Sequence, residues 1–208
     1  MVREGLNHFI NNMQGKAFLH FLKYLIRLEK ACTQTTQEEM ELIKKYAAQK
    51  KYVVEIGVYE AVNTVSIAKA ISRHAVFFAI DPFFKSKFGF CYYKWITQLN
   101  LLRNRVSNKV RLLEVFSYEA AKNIDSKIDF IFVDGDHSYE GIQKDWNLYS
   151  TKVVLGGYIL LHDTSVPAFD LSRAYLGSVT FFKEIISKDS RFILLDTVDS
   201  LNVLQRIN

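Results

Sequence analysis

The chain has 208 residues, 49% of them hydrophobic, which is enough for one sizeable core. Only two prolines and nine glycines exclude a collagen-like or disordered chain. The two cysteines lack metal-motif or redox-motif spacing, and no signal-peptide pattern or membrane-length apolar run is present, so we expect a reduced, cytoplasmic protein without a membrane span. The net charge of +5 permits an acidic partner but does not require one.

An amphipathic helix is predicted over residues 14–30. Its basic residues recur every three or four positions and so share one face: Lys16, His20, Lys23, Arg27 and Lys30. Such a face could bind a membrane or nucleic acid, but a charge stripe is more often the solvated side of a packed helix. The apolar residues expected to pack on the domain or on a second subunit are Phe18, Leu22, Leu25 and Ile26. Residues 1–32 are therefore assigned to a helical extension, through which copies could form a homo-oligomer.

Residues 33–208 have the pattern of one α/β domain. Thr35 or Thr36, followed by Glu38 or Glu39, gives a capping box for a helix over 37–48. Five strand-like segments follow, at 52–57, 76–81, 110–115, 128–134 and 158–163. Helix-like segments lie between them, at 94–106, 117–123 and 139–149. This alternation predicts a parallel sheet with helices on both faces.

The C-terminal tail has a different pattern. Segments 191–196 and 201–207 are strand-like, and only "TVDS" separates them. This spacing predicts an antiparallel hairpin at the edge of the sheet. The expected architecture is a seven-stranded, mostly parallel sheet with this hairpin at its end.

Acidic residues stand at or beside the carboxyl end of every predicted central strand: Glu55, Asp81, Glu114, Asp134 and Asp163. Ligands of open parallel sheets bind at that edge. One such aspartate could simply cap a helix, but five in one sheet predict a binding site. Nucleic-acid binding would instead require lysine and arginine there, so no nucleic-acid partner is expected.

The loop after the first strand predicts a nucleoside site. Gly57 ends the strand and allows close approach of a ligand to the backbone, and Asn63 or Thr64 can cap the next helix. The GxGxxG dinucleotide motif is absent, because Tyr59 and Val62 replace its later glycines. Asp81 ends the second strand, where a carboxylate can bind both hydroxyls of a ribose. These features predict an adenosine-bearing cofactor without a pyrophosphate.

The segment "DGDH" at 134–137 places two carboxylates and an imidazole at one strand end. It could be only a turn that caps the helix beginning near Tyr139. The position at the carboxyl edge favours a functional site, in which His137 takes a proton near neutral pH and Asp136 orients its ring. His8, His20 and His74 belong to no recognisable constellation, and no role is predicted for them.

Five stretches in this order resemble the class I S-adenosylmethionine-dependent methyltransferases: "VVEIGVYEAVNTVSIAKAI", "FFAIDPF", "IDFIFVDGDHSYEGIQKDW", "LGGYILLHD" and "SVTFFKEI". The most similar group is the small O-methyltransferases of macrolide and other natural-product pathways. The resemblance covers roughly residues 33–207 and implies a Rossmann-like fold. It also implies methyl transfer from S-adenosylmethionine to a hydroxyl of a small molecule, such as a sugar, phenolic or other natural-product acceptor.

The resemblance implies positions for the cofactor. Glu55 and Gly57 would face its methionine portion, Asp81 would bind the ribose, and Ser117 would lie beside the adenine. Our cofactor-binding set completes these with Tyr59, Asn63 and Asp134.

The resemblance also implies catalytic roles. Asp134 would hold a metal or orient the acceptor, and His137 would be the general base. Asp134, His162 and Asp163 would hold a divalent cation, Mg²⁺ or Mn²⁺. His162 stands where metal-dependent members carry an acid, and Mg²⁺ prefers oxygen ligands whereas Mn²⁺ tolerates nitrogen better. A metal-independent enzyme that uses His137 alone is the alternative.

One departure raises a second alternative. Ala61 occupies the position of the family's second glycine in the first motif. Its methyl group could weaken cofactor binding, so a degenerate S-adenosylmethionine-binding protein without catalysis is the competing hypothesis.

Overall fold

The computed structural model describes residues 15–85 and 89–208. His8 and residue 14, which begins the predicted first helix, lie outside this part of the chain. The helices are α1 (15–25), α2 (Gln37–Ala47), α3 (Val62–Ala70), α4 (Tyr92–Arg103), α5 (Ser117–Ala120), α6 (Tyr139–Tyr149) and α7 (Gly177–Glu184). The strands are β1 (Tyr52–Ile56), β2 (Val76–Ile80), β3 (Val110–Leu113), β4 (Ile128–Val133), β5 (Val153–Leu161), β6 (Phe192–Val198) and β7 (Leu201–Arg206).

The seven strands form one sheet in the order β3-β2-β1-β4-β5-β7-β6. Strands β1 to β5 pair in parallel, whereas β7 runs antiparallel to both β5 and β6. The α/β class, the seven strands and the C-terminal hairpin are therefore confirmed. Because β1 and β4 are neighbours, the loops after Ile56 and Val133 meet at the carboxyl edge of the sheet. The strand order changes direction between β1 and β4, and open α/β sheets bind ligands at such a point.

The core has one apolar layer on each face of the sheet, because successive strand residues point to opposite faces. Val54 and Ile56 of β1 pack in the layer that also holds Trp146. Val53 of the same strand packs in the other layer, with Ile43 of α2. This two-sided burial explains why the central strands are almost continuously apolar.

Several predicted boundaries differ from the structure. Strand β5 begins at Val153, five residues before the predicted start, and α3 begins at Val62 after the N-cap residue Ala61. The predicted cap by Asn63 or Thr64 is therefore wrong. The predicted capping box of α2 is confirmed: Thr36 accepts a hydrogen bond from the Glu39 backbone N–H, and the Glu39 side chain accepts one from the Thr36 backbone N–H.

Helix α1 ends earlier than predicted, and its predicted apolar residues remain partly exposed. It ends at residue 25 instead of 30, and Arg27 has a left-handed backbone with φ of 65°. The apolar residues that were expected to pack are all at least 38% exposed: Phe18, Leu22, Leu25 and Ile26. Phe18 still contacts α4 as predicted, with its ring 5.4 Å from Tyr92. Further contacts with α4 come from Phe21, whose ring lies 5.3 Å from Trp95, and from buried Tyr24. Whether the exposed residues contact a second subunit stays a prediction.

Among residues 15–85 and 89–208, no helix combines the length and apolar character needed to cross a membrane.

Candidate active site

Two cavities open at the carboxyl edge of the sheet. The larger has a volume of about 560 Å³ and extends from the β1 loop to the start of α5. The smaller, of about 170 Å³, lies between the β1 loop, residues 32–34 and His137. Four residues line both cavities: Gly57, Tyr59, Asp81 and Asp134. The sequence predicted all four as cofactor-binding residues, and the structure brings them together.

Asp81 holds the loop after β1 in place. One carboxylate oxygen accepts hydrogen bonds from the backbone N–H groups of Val58 and Tyr59, both at 3.0 Å. The other accepts from the backbone N–H of Phe83 at 2.7 Å. A carboxylate has about four acceptor positions, so this one can still accept from a ligand hydroxyl in the adjoining cavities. Asp81 thus combines a structural role with the predicted binding role.

Gly57 is needed for packing more than for ligand approach. A Cβ at this position would lie 1.9 Å from the Asp134 carbonyl oxygen, and the residue has φ of 86°. Only glycine therefore lets β1 and β4 end side by side here. Ala61, at the family's second glycine position, also has a left-handed backbone, with φ of 60°, and is fully buried. The alanine adopts the glycine-like conformation with its methyl group accommodated.

Glu55 and Asn63 lie on either side of this loop. Glu55 is fully buried in β1 and lines neither cavity. Burial, with a smaller effect of the Asp134 and Asp81 charges, raises the pKa of its carboxyl group well above the usual range. Asn63 lines the smaller cavity, where its amide donates to the Thr35 hydroxyl at 2.8 Å. Its buried carbonyl oxygen has no hydrogen-bond partner among the described residues, which leaves one acceptor for a ligand N–H group.

The far end of the larger cavity has a second polar pair. The Ser117 hydroxyl donates to the Asp145 carboxylate at 2.5 Å, and both residues line the cavity. Burial raises the pKa of Asp145 to about 6, and the Ser117 hydrogen bond opposes this shift. Phe116 and Tyr118 stack beside them with ring centroids 5.3 Å apart. The sequence predicted Ser117 but missed Asp145, although Asp145 lies in the stretch "IDFIFVDGDHSYEGIQKDW" that is part of the resemblance.

The residues of the "DGDH" segment have different roles in the structure. Asp136 accepts from the Ser138 backbone N–H at 2.9 Å, and Ser138 is the N-cap of α6. This pair forms the helix-capping turn. Among the described residues, no hydrogen bond joins Asp136 to the His137 ring, so the predicted role of Asp136 in orienting the imidazole stays a prediction. Asp134 and His137 line the smaller cavity, whereas Asp136 lines only the larger one.

His137 lies between two carboxylates. Its Nε2 is 3.9 Å from an Asp134 oxygen, and its Nδ1 is 3.6 Å from an Asp163 oxygen. Burial lowers the pKa of His137 below 6.5, although the nearby Asp134 charge acts in the opposite direction. The lowered pKa favours the neutral imidazole, which has a lone pair that can accept a proton.

His162 is the second histidine of the site, and its surroundings favour the protonated form, in contrast to those of His137. Its Nδ1 is 2.9 Å from Asp134, and its Nε2 is 3.2 Å from buried Glu39 of α2. Carboxylates only accept hydrogen bonds, so both ring nitrogens donate. Burial alone would lower the pKa of His162, but the Asp134 charge and the two hydrogen bonds raise it to about 9. Sequence reasoning missed Glu39, which was recognised only as a capping residue.

The predicted metal ligands converge, but protein cations lie among them. Donor atoms of Asp134, His162 and Asp163 lie within 4.8 Å of one another. However, His162 Nδ1 donates to Asp134, and the Arg173 guanidinium contacts the Asp163 carboxylate. Two protein cations thus stand where a divalent ion would bind, and a guanidinium cannot release its charge. This donor set does not fit Mg²⁺ or Mn²⁺ in the present arrangement, and metal binding here stays a sequence prediction.

The fold and the carboxyl-edge site define a methyltransferase-type α/β protein, and comparisons with known proteins agree. The family described as "Methyltransferase domain" matches residues 54–164. Since this match covers more than half of the chain, the protein belongs to that family.

Solved structures share the fold at low sequence identity. A candidate caffeoyl-CoA O-methyltransferase from Staphylococcus aureus superposes with a TM-score of 0.68 at 16% identity, covering 97% of this chain and 98% of that chain. The O-methyltransferase TomG from Streptomyces achromogenes, solved with S-adenosylmethionine, gives a TM-score of 0.61 at 14% identity, with 93% and 89% covered.

A curated relative has no described activity. The uncharacterized protein R132 of Acanthamoeba polyphaga mimivirus is 29% identical over 120 residues. The matched segment covers 53% of this chain and 50% of that relative, so the chain matches about half the length of the viral protein.

Proposed function

We propose that this protein is an O-methyltransferase that binds S-adenosylmethionine in the two cavities and methylates a hydroxyl of a small molecule. The observation that supports the proposal is the position of His137 at the smaller cavity, between the carboxylates of Asp134 and Asp163. An alcohol or phenol is a weak nucleophile until it loses its proton. The uncharged imidazole of His137 lies where it can accept that proton.

The cavities suit the parts of the cofactor. The Asp81 carboxylate can accept from ribose hydroxyls, and the flat Phe116 and Tyr118 rings suit an adenine near Ser117. The unpaired Asn63 carbonyl oxygen and Asp134 are acceptors for the ammonium group of the methionine portion. When bound, S-adenosylmethionine supplies a methyl group on a positively charged sulfur.

The residues of the chain then have distinct tasks. His137 removes the acceptor proton, and Asp134, fixed by His162, supports the positive charge that His137 gains. The His162 imidazolium and Arg173 offset the negative charges of Asp134 and Asp163 without a metal ion. We therefore propose the metal-independent form of the reaction.

Our first prediction is that His137→Ala lowers turnover by roughly 10²–10⁴-fold and leaves cofactor affinity nearly unchanged. Turnover is measured as release of demethylated cofactor in the presence of phenolic and sugar acceptors, and affinity by calorimetric titration. Wild-type turnover should rise with pH through a pKa below 6.5, since His137 must be deprotonated to act. His74→Ala, an exposed histidine, is the matched control.

Two further measurements separate the alternatives. Chelation should leave wild-type turnover unchanged, and complete loss on chelation would favour the metal-dependent form. A wild-type protein that binds the cofactor tightly but methylates none of the acceptors would favour the non-catalytic binding protein. An NMR titration checks the base without any acceptor: His137 should titrate below pH 6.5 and His162 near pH 9.

A further inference from the structure

A second cluster of polar side chains joins the N-terminal segment to the domain. It consists of His20 on α1, Cys32 in the segment between α1 and α2, and Glu60 in the loop after β1, and it is called here the His-Cys-Glu cluster. Donor atoms of the three residues all lie within 4.8 Å of one another. None of them has a role in the proposed methyl transfer, and no sequence pattern connects these three residues.

The donor separations are near those of a tetrahedral zinc site. His20 Nε2 lies 3.7 Å from the Cys32 Sγ and 3.1 Å from a Glu60 carboxylate oxygen. With the usual Zn–N, Zn–O and Zn–S bond lengths, ligands at tetrahedral angles are separated by about 3.4–3.6 Å. A small adjustment of the side chains would therefore place one cation in contact with all three donors.

The hydrogen bonds around the cluster resemble those around a metal-binding histidine. His20 Nδ1 is 2.5 Å from a Glu29 oxygen, and Lys23 holds the other Glu29 oxygen at 2.7 Å. Histidines that bind metals almost always donate their second N–H to such a carboxylate, which orients the ring. The Cys32 backbone N–H donates to the Glu60 carboxylate at 2.6 Å and fixes that ligand as well.

Glu60 has a further reason to attract a cation. Its side chain is only 2% exposed, and a buried carboxylate is stabilised by pairing or by metal coordination. Among the described residues, its one ion-pair partner is His20, and no lysine or arginine occupies the cluster. This differs from Asp163, which already contacts Arg173. Cys32 is exposed, so a cation can reach the cluster from solvent.

We propose that His20, Cys32 and Glu60 form a Zn²⁺ site, which tethers the N-terminal segment to the domain. The cation replaces the proton that His20 Nε2 shares with Glu60 and the proton of the Cys32 thiol, and both protons go to solvent. Nδ1–H of His20 continues to donate to Glu29. Three protein ligands leave a fourth position for water or an outside ligand. Cys32 also lines the smaller cavity, so the Zn²⁺ site borders the proposed cofactor pocket. Its donors have no role in the proposed methyl transfer, and the Zn²⁺ proposal does not depend on the proposed function.

Cobalt spectroscopy tests the proposal directly. Co²⁺ in a site with a cysteine ligand gives a thiolate-to-metal charge-transfer band in the near ultraviolet, which carboxylate and histidine ligands alone do not give. The full-length protein is titrated with Co²⁺ and then with Zn²⁺. We expect one band that saturates at about one equivalent and is abolished by Zn²⁺. Absence of the band in the wild type would overturn the proposal.

Matched variants assign the ligands. Cys32→Ser and His20→Ala should lose the band, whereas Cys91→Ser and His74→Ala should keep it. Asp163→Asn should also keep it, which separates this site from the cluster around His162. A band that persists in Cys32→Ser, or that disappears in Cys91→Ser with the fold intact by circular dichroism, would contradict the assignment.

Replacement of Glu29, which orients the His20 ring, should weaken Zn²⁺ binding without abolishing it. Glu29→Gln should weaken Zn²⁺ binding by about 10–100-fold, measured by competition with a metal indicator, because it removes only the orienting carboxylate. Zn²⁺ should also slow proteolytic cleavage between residues 25 and 36 in the wild type but not in Cys32→Ser. Equal cleavage rates in the wild type with and without Zn²⁺ would contradict the tethering role.

Discussion

Asp81 shows how one side chain can serve both the fold and the ligand. Its carboxylate accepts three backbone N–H groups, from Val58, Tyr59 and Phe83, and it lines both cavities. The sequence predicted the binding role from the position at the end of β2. It could not reveal the backbone contacts, because these depend on how the β1 loop folds back over β2.

We predict that Asp81→Asn weakens binding of the demethylated cofactor by roughly 1.5–3 kcal/mol, the usual contribution of hydrogen bonds to a charged group. An amide keeps the shape of the carboxylate, but its NH₂ group cannot accept from a backbone N–H or a ribose hydroxyl. Calorimetric titration measures the affinity. Asp125→Asn, an exposed aspartate that pairs with Lys127, should bind as the wild type does. An unchanged affinity in Asp81→Asn would remove Asp81 from the binding site.

Other single residues show where sequence reasoning stops. Gly57 was predicted to admit a ligand, yet the Asp134 carbonyl oxygen occupies the space that a Cβ would take. His20 was given no role, because Glu60 and Cys32 become its neighbours only when α1 folds onto the β1 loop. Glycine and histidine at isolated positions have several uses, and only the tertiary contacts select among them.

At the scale of elements, the apolar strands were the most predictable part of the chain. Strands β1, β2 and β4 were located to within about one residue, because burial on both faces makes them almost continuously apolar. The early start of β5 was missed, because Gly156 and Gly157 interrupt its pattern and β4–β5 pairing shifts register near the start of β4. Helix α1 was predicted too long, because the left-handed Arg27 gives no signal in the sequence.

Helix α1 is attached to the domain partly through its C-terminal carbonyl groups. The Arg103 guanidinium donates to the carbonyl oxygens of Tyr24 and Leu25, at 2.9 and 2.8 Å. It also lies over the Tyr24 ring, 4.6 Å from the centroid. A cation at a helix C-terminus is favourable because it meets unpaired carbonyl groups and the negative end of the helix dipole.

We therefore predict that Arg103→Ala loosens α1 from α4 while the sheet stays folded. Limited proteolysis should cleave near residues 25–30 several-fold faster than in the wild type, measured without added metal. Arg73→Ala removes an exposed arginine elsewhere and should leave the cleavage rate unchanged. Equal rates for the Arg103 variant and the wild type would show that the aromatic contacts of Phe21 hold the helix without help from Arg103.

At the scale of the whole molecule, Glu39 connects both ends of the domain. Its carboxylate accepts from the Ser200 backbone N–H at 2.9 Å and from the Ser200 hydroxyl at 2.7 Å, in the turn of the β6–β7 hairpin. Its other oxygen faces His162 beyond β5. This buried network joins α2, the active-site edge and the C-terminal hairpin. The topology could be predicted from the strand pattern, but this network could not, because its members are 161 and 123 residues apart in the chain.

The charge state of His162 should make stability depend on pH in a defined window. The pKa of His162 is raised to about 9 in the folded protein, against 6.5 for an ordinary histidine, so its protonated form favours folding. This contribution is fully present below pH 6.5 and is lost as the pH rises through 9. Glu39 acts oppositely: its pKa is lowered to about 2, so its contribution is present above pH 4.5 and is lost as the pH falls toward 2.

We predict that the free energy of unfolding of the wild type exceeds that of His162→Gln by the largest amount between about pH 5 and 6.5. The difference should then shrink by on the order of 2–3 kcal/mol as the pH approaches 9, because the imidazolium loses its proton and Gln does not titrate. Urea denaturation of both proteins across this range measures the difference. His74→Gln, at an exposed position, should show a difference from the wild type that stays constant with pH. A constant difference for His162→Gln would mean that His162 is already neutral between Glu39 and Asp134, and the metal-free charge balance proposed for the active site would be wrong.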